Sequence, residues 1–157
     1  MYIYLLRHAE AESDMYNPDK NRKLSKVGIE DARLLNKFLL DKGLRFDLVL
    51  SSSSTRTRET TEIILKNVRC GKDPEYLDEL YQAPENIISN IILKSYTKNT
   101  LIVSHNPGLS QTISSLRKDE FKSYPTCTFG CFLKNERDDD FVNTILINST
   151  NGKIIDL

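Results

Sequence analysis

The sequence has no net charge to offer. Its 22 Lys and Arg are matched by 22 Asp and Glu in 157 residues, so no global field favours nucleic acid or an anionic lipid surface, and anion binding has to come from local arrangement. Cysteine is scarce. Cys70, Cys127 and Cys131 are an odd set without C-x-x-C spacing, which speaks against a secreted disulfide framework and against a four-ligand zinc site. Long apolar runs are missing too: none reaches the ~20 residues of a spanning helix, and the apolar start Tyr2 to Leu6 is too short, and lacks the basic lead, for a secretion signal. The expectation is a cytoplasmic protein with no metal or cofactor and no nucleic-acid or membrane partner.

What is present is an ordinary globular composition, 39% hydrophobic and 28% charged, at a length that suits one domain over residues 1–157. Met1 to Leu6 reads as a strand buried on both faces. From Ser25, residues Ile29, Ala32, Leu35 and Leu39 recur at helical spacing until Gly43, a plausible residue to end a helix. Phe46 to Leu50 reads as a second strand, followed by the serine run Ser51 to Ser54 and a polar helix with Thr60, Ile63 and Ile64 inward. A strand near Glu75 to Leu77 and a helix carrying Ile87, Ile88, Ile91 and Ile92 come next. Thr100 to Val103 is a further strand, and Asn106 as N-cap with Pro107 at the first position would open the helix that runs to about Leu116.

The tail changes character. Phe129 to Leu133, Phe141 to Ile147 and Lys153 to Ile155 read as strands around turns at Asn135 to Asp140 and Asn151-Gly152. Asp138, Asp139 and Asp140, beside Glu136 and Arg137, read as a solvated hairpin tip rather than a cation site. Strands alternating with helices and then ending in strands predict a three-layer α/β/α fold, its central sheet mainly parallel with a late antiparallel addition.

Only two histidines occur, and each directly follows a predicted parallel strand: His8 and His105. In such sheets ligands bind beyond the carboxyl ends of the strands, so both imidazoles should face one crevice. Arg7 stands beside His8, and Arg56 lies within a helical turn of a third strand end. Alone, each of the four reads as a solvated or hydrogen-bonded residue. Together, two imidazoles and two guanidiniums at one edge of the sheet carry more weight than any one of them, since adjacent guanidiniums disfavour a protonated imidazole. The serine run has no G-x-S-x-G elbow and suits a polar turn and cap.

These residues resemble the histidine phosphatase superfamily, whose fold is phosphoglycerate mutase-like. Leu6-Arg7-His8-Ala9-Glu10 is similar to its Arg-His-Gly signature, with alanine for glycine. Arg22-Lys23-Leu24-Ser25 with Gly28 resembles its Arg-Pro-Leu-Thr-x-x-Gly segment, and Ser52 to Thr60 its Ser-Pro-x-x-Arg-Ala-x-x-Thr segment. Ser104-His105-Asn106-Pro107-Gly108-Leu109 looks like the Gly-His-Asn-Pro-Gly-Leu segment of the SixA-type phosphohistidine phosphatases. The resemblance implies His8 as nucleophile, Arg7, Arg56 and His105 as phosphate-binding residues, Glu79 as general acid with Asp78 its nearest rival, and Arg22 as a substrate contact near the pocket entrance. Arg58 competes with Arg56, but Thr60 falls four residues after Arg56, where the family places its threonine.

The reading that follows is a metal-independent phosphatase working through a phosphohistidine intermediate. Its expected partner is a phosphorylated protein, a phosphohistidine domain, or else a small phosphorylated metabolite. A phosphatase or mutase of sugar or nucleotide phosphates is the enzymatic alternative. A non-catalytic phosphoprotein-binding module is the alternative of another class.

Overall fold

Alternate residues of one short strand decide the layering. In the computed structural model, which describes residues 1–135 and 140–157, β1 (Tyr2–Arg7) turns Tyr4 and Leu6 to one face and Ile3 and Leu5 to the other, all of them buried. A strand that is apolar on both faces needs cover on both. On the Tyr4 side the cover is α1 (Lys26–Asp41) and α2 (Thr55–Ile64), through Ala32, Leu35, Leu39 and Ile64. On the Ile3 side it is α3 (Glu85–Lys94) and α4 (Gly108–Arg117), through Ile88, Ile92, Leu109 and Ile113. Each fully buried aliphatic side chain contributes about 1.5–3 kcal/mol relative to exposure, so the two half-cores hold the helices in place. The three-layer α/β/α expectation is met.

The remaining strands are β2 (Arg45–Phe46), β3 (Leu48–Ser52), β4 (Arg69–Cys70), β5 (Glu75–Leu77), β6 (Asn99–Ser104), β7 (Thr128–Lys134), β8 (Phe141–Thr150) and β9 (Lys153–Asp156). Six of them join β1 in one sheet in the order β5-β3-β6-β1-β7-β8-β9, and β2 and β4 pair apart from it. The first four are parallel, and β7, β8 and β9 add antiparallel neighbours. The Asn151-Gly152 turn joins β8 to β9 with both residues at positive φ, 47° and 73°, the backbone that this dipeptide favours in a tight hairpin. Of the other predicted turn, residues 136–139, with Asp138 and Asp139, lie outside the described residues; Asp140 is exposed and pairs with Lys118 at 2.6 Å.

Register places the site. Arg7 pairs with Ser104, and Ser51 with Val103, so β1, β6 and β3 end at the same level, side by side. The residues just after them therefore share one edge. Ser25 caps α1, its Oγ accepting the Gly28 amide at 3.0 Å, and the close approach at Gly28 leaves no room for a side chain: a Cβ there would lie 2.0 Å from the Glu10 carbonyl oxygen. This contact seats α1 against the loop that follows His8.

Two predicted boundaries differ. Phe46 to Leu50 is split at Asp47, whose Oδ2 accepts the backbone amide and the side-chain Nδ2 of Asn99 at 2.9 and 3.1 Å. Phe46 then pairs with β4, a strand too short to have a periodicity of its own. Asn106 is not a cap. The helix starts at Gly108 with Pro107 as its N-cap residue, after a cis Asn106-Pro107 bond, because the Asn106 side chain is used elsewhere: Nδ2 donates to the Tyr124 carbonyl at 2.9 Å and Oδ1 accepts from Ser110 Oγ at 2.6 Å. Among the described residues, no helix is long and apolar enough to cross a membrane.

Candidate active site

His8 is buried one residue past β1 and is held from both sides of the backbone. Its amide donates to the Ser104 carbonyl at 3.2 Å and its carbonyl accepts from Cys127 at 3.0 Å. The imidazole Nδ1 lies 2.7 Å from the Ala9 carbonyl oxygen, an atom that only accepts, so Nδ1 carries the proton and Nε2 keeps its lone pair. Arg56 Nε donates to that Nε2 at 3.3 Å. Burial first, then the charges of Arg56 and Arg7, push the imidazole down to about 3, against the pull of the Ala9 hydrogen bond. His8 is thus a neutral imidazole whose unprotonated nitrogen, Nε2, is defined.

His105 follows β6 in the same way, and its ring centroid lies 5.0 Å from that of His8. Its Nδ1 is 3.3 Å from Arg56 Nη2, and its Nε2 2.8 Å from Ser52 Oγ. A guanidinium can only donate, so Nδ1 is the acceptor and Nε2–H donates to Ser52. Burial and the neighbouring His8 and Arg56 lower it to about 3.

Arg56 lies in the first turn of α2 and is buried between the two histidines. Ser54 caps this helix, accepting from the Thr57 amide at 3.4 Å, and the buried face of α2 is formed by Arg56, Thr57, Thr60, Thr61 and Ile64. Arg58 faces another way: its Nε donates to the Ser53 carbonyl at 3.0 Å and its guanidinium lies 4.1 Å over the Tyr76 ring. Arg7 reaches the Tyr124 carbonyl through Nη1 at 2.6 Å, the same oxygen that Asn106 engages. Its Nε is buried with no hydrogen-bond partner among the described residues. A buried donor without an acceptor is costly unless a ligand supplies one.

Four of the sequence-predicted residues, His8, Arg7, Arg56 and His105, therefore come to one sheet edge. Arg22 connects to them indirectly: its Nε and Nη2 donate to Asp19 Oδ1 at 3.0 and 2.8 Å, and its Nη1 to the Glu12 carbonyl at 3.1 Å. Glu79 lies exposed on the short 3-10 turn Asp78–Leu80 and makes no hydrogen bond to the four. Asp78 beside it is taken by Lys20 at 2.7 Å and by the Ser53 hydroxyl.

Asp19, Tyr81 and Gln82 had no signal as site residues in the sequence, and Ser52, which opens the motif ending at Thr60, was given no role there. Asp19 sits in the 3-10 turn Asp19–Asn21 within the long loop after β1. Its Oδ2 accepts from Arg56 Nη2 at 3.0 Å, Tyr81 OH at 2.7 Å and Gln82 Nε2 at 3.3 Å, while its carbonyl accepts Arg56 Nη1 at 2.7 Å. The Tyr81 hydroxyl first, and then Arg56 and Arg22, hold this carboxyl well below the usual carboxylate range. The arrangement is a neutral imidazole, its Nε2 unprotonated, beside a buried guanidinium and a donor-rich recess. A cavity of about 690 Å³ lined in part by Tyr2, Tyr4, Arg45 and Lys98 lies at the opposite ends of the strands and contains neither histidine.

The family model described as histidine phosphatase superfamily (branch 1) matches residues 3–82. The mitochondrial serine/threonine-protein phosphatase PGAM5 of Rattus norvegicus is 39% identical over 67 residues, 43% of this chain and 23% of that protein. A 2,3-bisphosphoglycerate-dependent phosphoglycerate mutase of Methylobacterium sp. (strain 4-46) is 31% identical over 80 residues, 49% of this chain and 38% of that one. The matched segment spans less than half the length of these relatives. Among solved structures, SixA from Agrobacterium tumefaciens superimposes with a TM-score of 0.77 at 26% identity, covering 90% of this chain and 96% of that one. A protein histidine phosphatase SixA complexed with tungstate gives a TM-score of 0.82 at 19% identity over 95% and 97% of the two chains, a likeness of fold.

Proposed function

The chain belongs to the histidine phosphatase superfamily (branch 1), and from that premise we propose that it is a metal-independent phosphatase acting through a phosphohistidine intermediate on His8. The observation that carries the reading is the unprotonated Nε2 of His8, which accepts from Arg56 Nε at 3.3 Å, with Nδ1 anchored on the Ala9 carbonyl. Nε2 attacks phosphorus, the bond to the leaving group breaks with its electron pair, and the leaving atom takes a proton. Water then attacks phosphorus and gives up a proton to solvent, and the phosphorus–nitrogen bond breaks with its electron pair returning to Nε2, releasing phosphate and restoring His8. Arg7 and Arg56 hold the phosphoryl oxygens, and His105 joins them by taking a proton on Nδ1 once the phosphoryl group draws Arg56 Nη2 away from it; this charge stabilisation is where most of the catalysis of such a transfer lies. The unpartnered Nε of Arg7 is a donor that a phosphate oxygen would satisfy.

A protein phosphohistidine is the preferred substrate in this reading. The segment between Glu79 and β6 is filled by one ten-residue helix, α3, which leaves no chain for a large lid, and an open mouth suits a side chain projecting from another folded domain. A phosphoramidate protonated on nitrogen also leaves without much acid assistance. Glu79, exposed at the rim, then serves as general acid only for poorer leaving groups, and Arg22 contacts substrate through its place beside Asp19. Three free cysteines suit a reducing, cytoplasmic setting.

The test is His8-dependent turnover. Wild type should release phosphate from a generic aryl phosphate and trap an acid-labile, base-stable phosphoenzyme, and His8→Ala should do neither. Comparable activity in a pure His8→Ala preparation overturns the mechanism; binding without turnover in wild type makes the chain a phosphoprotein-binding module. kcat/KM for a phosphohistidine-bearing protein against sugar phosphates and phosphoserine peptides, each with Glu79→Gln, decides substrate class. A preference for a sugar phosphate removes the protein-substrate reading and leaves His8 standing.

A further inference from the structure

The recess is not vacant of negative charge. All three guanidinium nitrogens of Arg56 are engaged: Nε by His8, Nη1 by the Asp19 carbonyl, and Nη2 by Asp19 Oδ2 and His105. Asp19 in turn collects donors from Arg22, Tyr81 and Gln82. Its side chain is 41% exposed, whereas that of Arg56 is 4% exposed, so the carboxylate reaches from the solvent side onto a buried cation. A salt bridge of stability alone would need none of this convergence, and an Arg56 so occupied has no fork left for a phosphoryl group.

We propose that Asp19 is a specificity-determining residue, the resident anion of the phosphate recess, which a phosphoryl group must displace from Arg56 and which then selects at the mouth against substrates whose leaving group is anionic and for those whose leaving group is cationic. The selection has a plain electrostatic cause. Once phosphate oxygens take the Arg56 donors, the carboxylate remains tethered to Arg22 and Tyr81 at the solvent edge, on the side from which the rest of the substrate projects. Like charges there raise the barrier and unlike charges lower it, by an amount that solvent reduces but does not cancel. A protein histidine phosphorylated on one nitrogen and protonated on the other presents such a cation. The inference rests on the phosphatase reading for its kinetic part and only on the recess for its binding part.

Two measurements on wild type and Asp19→Asn test it. Tungstate affinity, by calorimetry, should tighten about tenfold in Asp19→Asn, since one competing unit of charge is gone; unchanged or weaker binding overturns the proposal and makes Asp19 a positioning residue for Arg56. The second is the ratio of kcat/KM for phenyl phosphate bearing a trimethylammonium group to that for phenyl phosphate bearing a carboxylate. Intrinsic reactivities cancel when this ratio is compared between the two proteins, so a fall of about tenfold in Asp19→Asn is expected, and an equal ratio overturns selection. If neither ester is cleaved in a His8-dependent way, the phosphatase reading fails while the tungstate result still decides whether Asp19 competes for the recess. Should Asp19→Asn fail to fold, Tyr81→Phe removes one donor that tethers the carboxylate and is expected to move both measurements in the same direction by less; no movement of either counts against the proposal.

Discussion

The Thr60 hydroxyl accepts the Ala9 amide at 3.0 Å and donates to the Arg56 carbonyl at 2.7 Å. One buried side chain thereby ties the loop that carries His8 to the helical turn that carries Arg56, two segments 48 residues apart in the chain. The spacing between the His8 imidazole and the Arg56 guanidinium is set here, by a threonine one helical turn beyond the arginine.

Thr60→Val, nearly the same shape, should leave the Ala9 amide buried without an acceptor, at a cost of about 1–3 kcal/mol in stability. Loosening the His8–Arg56 spacing should also lower kcat by about tenfold or more. Thr60→Ser should recover most of both. Chemical denaturation and phosphate release on the same preparations check this, and a Val variant as stable and active as wild type contradicts it.

Arg56→Ala should lower kcat/KM by about a hundredfold or more, as removal of a preorganised donor does. Arg58→Ala should stay within about twofold, because its guanidinium is spent on Ser53 and the Tyr76 face. Equal losses in the two variants would place the phosphate contact elsewhere on α2.

Acid should destabilise the fold through its two imidazoles. Both have a folded value near 3 against an ordinary 6.5, so below pH 6.5 the unfolded chain binds protons that the folded chain refuses. Their contribution is whole above pH 6.5 and is lost as pH falls toward 3, on the order of 2 kcal/mol for each histidine at pH 5. Asp19, held low, adds a loss only below the ordinary carboxylate value. Urea midpoints at pH 7 and pH 5 measure the fall, and His105→Asn should fall less than wild type; an equal fall contradicts the assignment.

Chelators should leave activity intact while tungstate inhibits competitively with substrate, since guanidinium and imidazole groups supply the charge that phosphoryl oxygens need. Among the described residues no cluster of three His, Cys, Asp or Glu could hold a metal ion. Strict dependence on an added divalent cation would contradict this account of the pocket.

The sequence alone determined the layering, the long strands of the main sheet and the expectation that two histidines and two arginines share one edge, because these follow from local pattern. An apolar run that stops at Arg7, a helix capped at Ser25 and ended at Gly43, and a histidine after each of two parallel strands are all written within a few residues. The choice of Arg56 over Arg58 came from the family resemblance, through the threonine four positions on. Tertiary structure decided what those residues touch. Asp19 lies in a loop without periodicity, and its partners Arg56, Tyr81 and Gln82 stand 37, 62 and 63 residues away. Asn106 carries every local sign of a cap, yet Tyr124, 18 residues on, takes its amide. Local rules describe how a segment prefers to lie when it has no partners; a hydrogen bond across the fold is worth as much as a cap, and which one forms depends on what folding brings within reach.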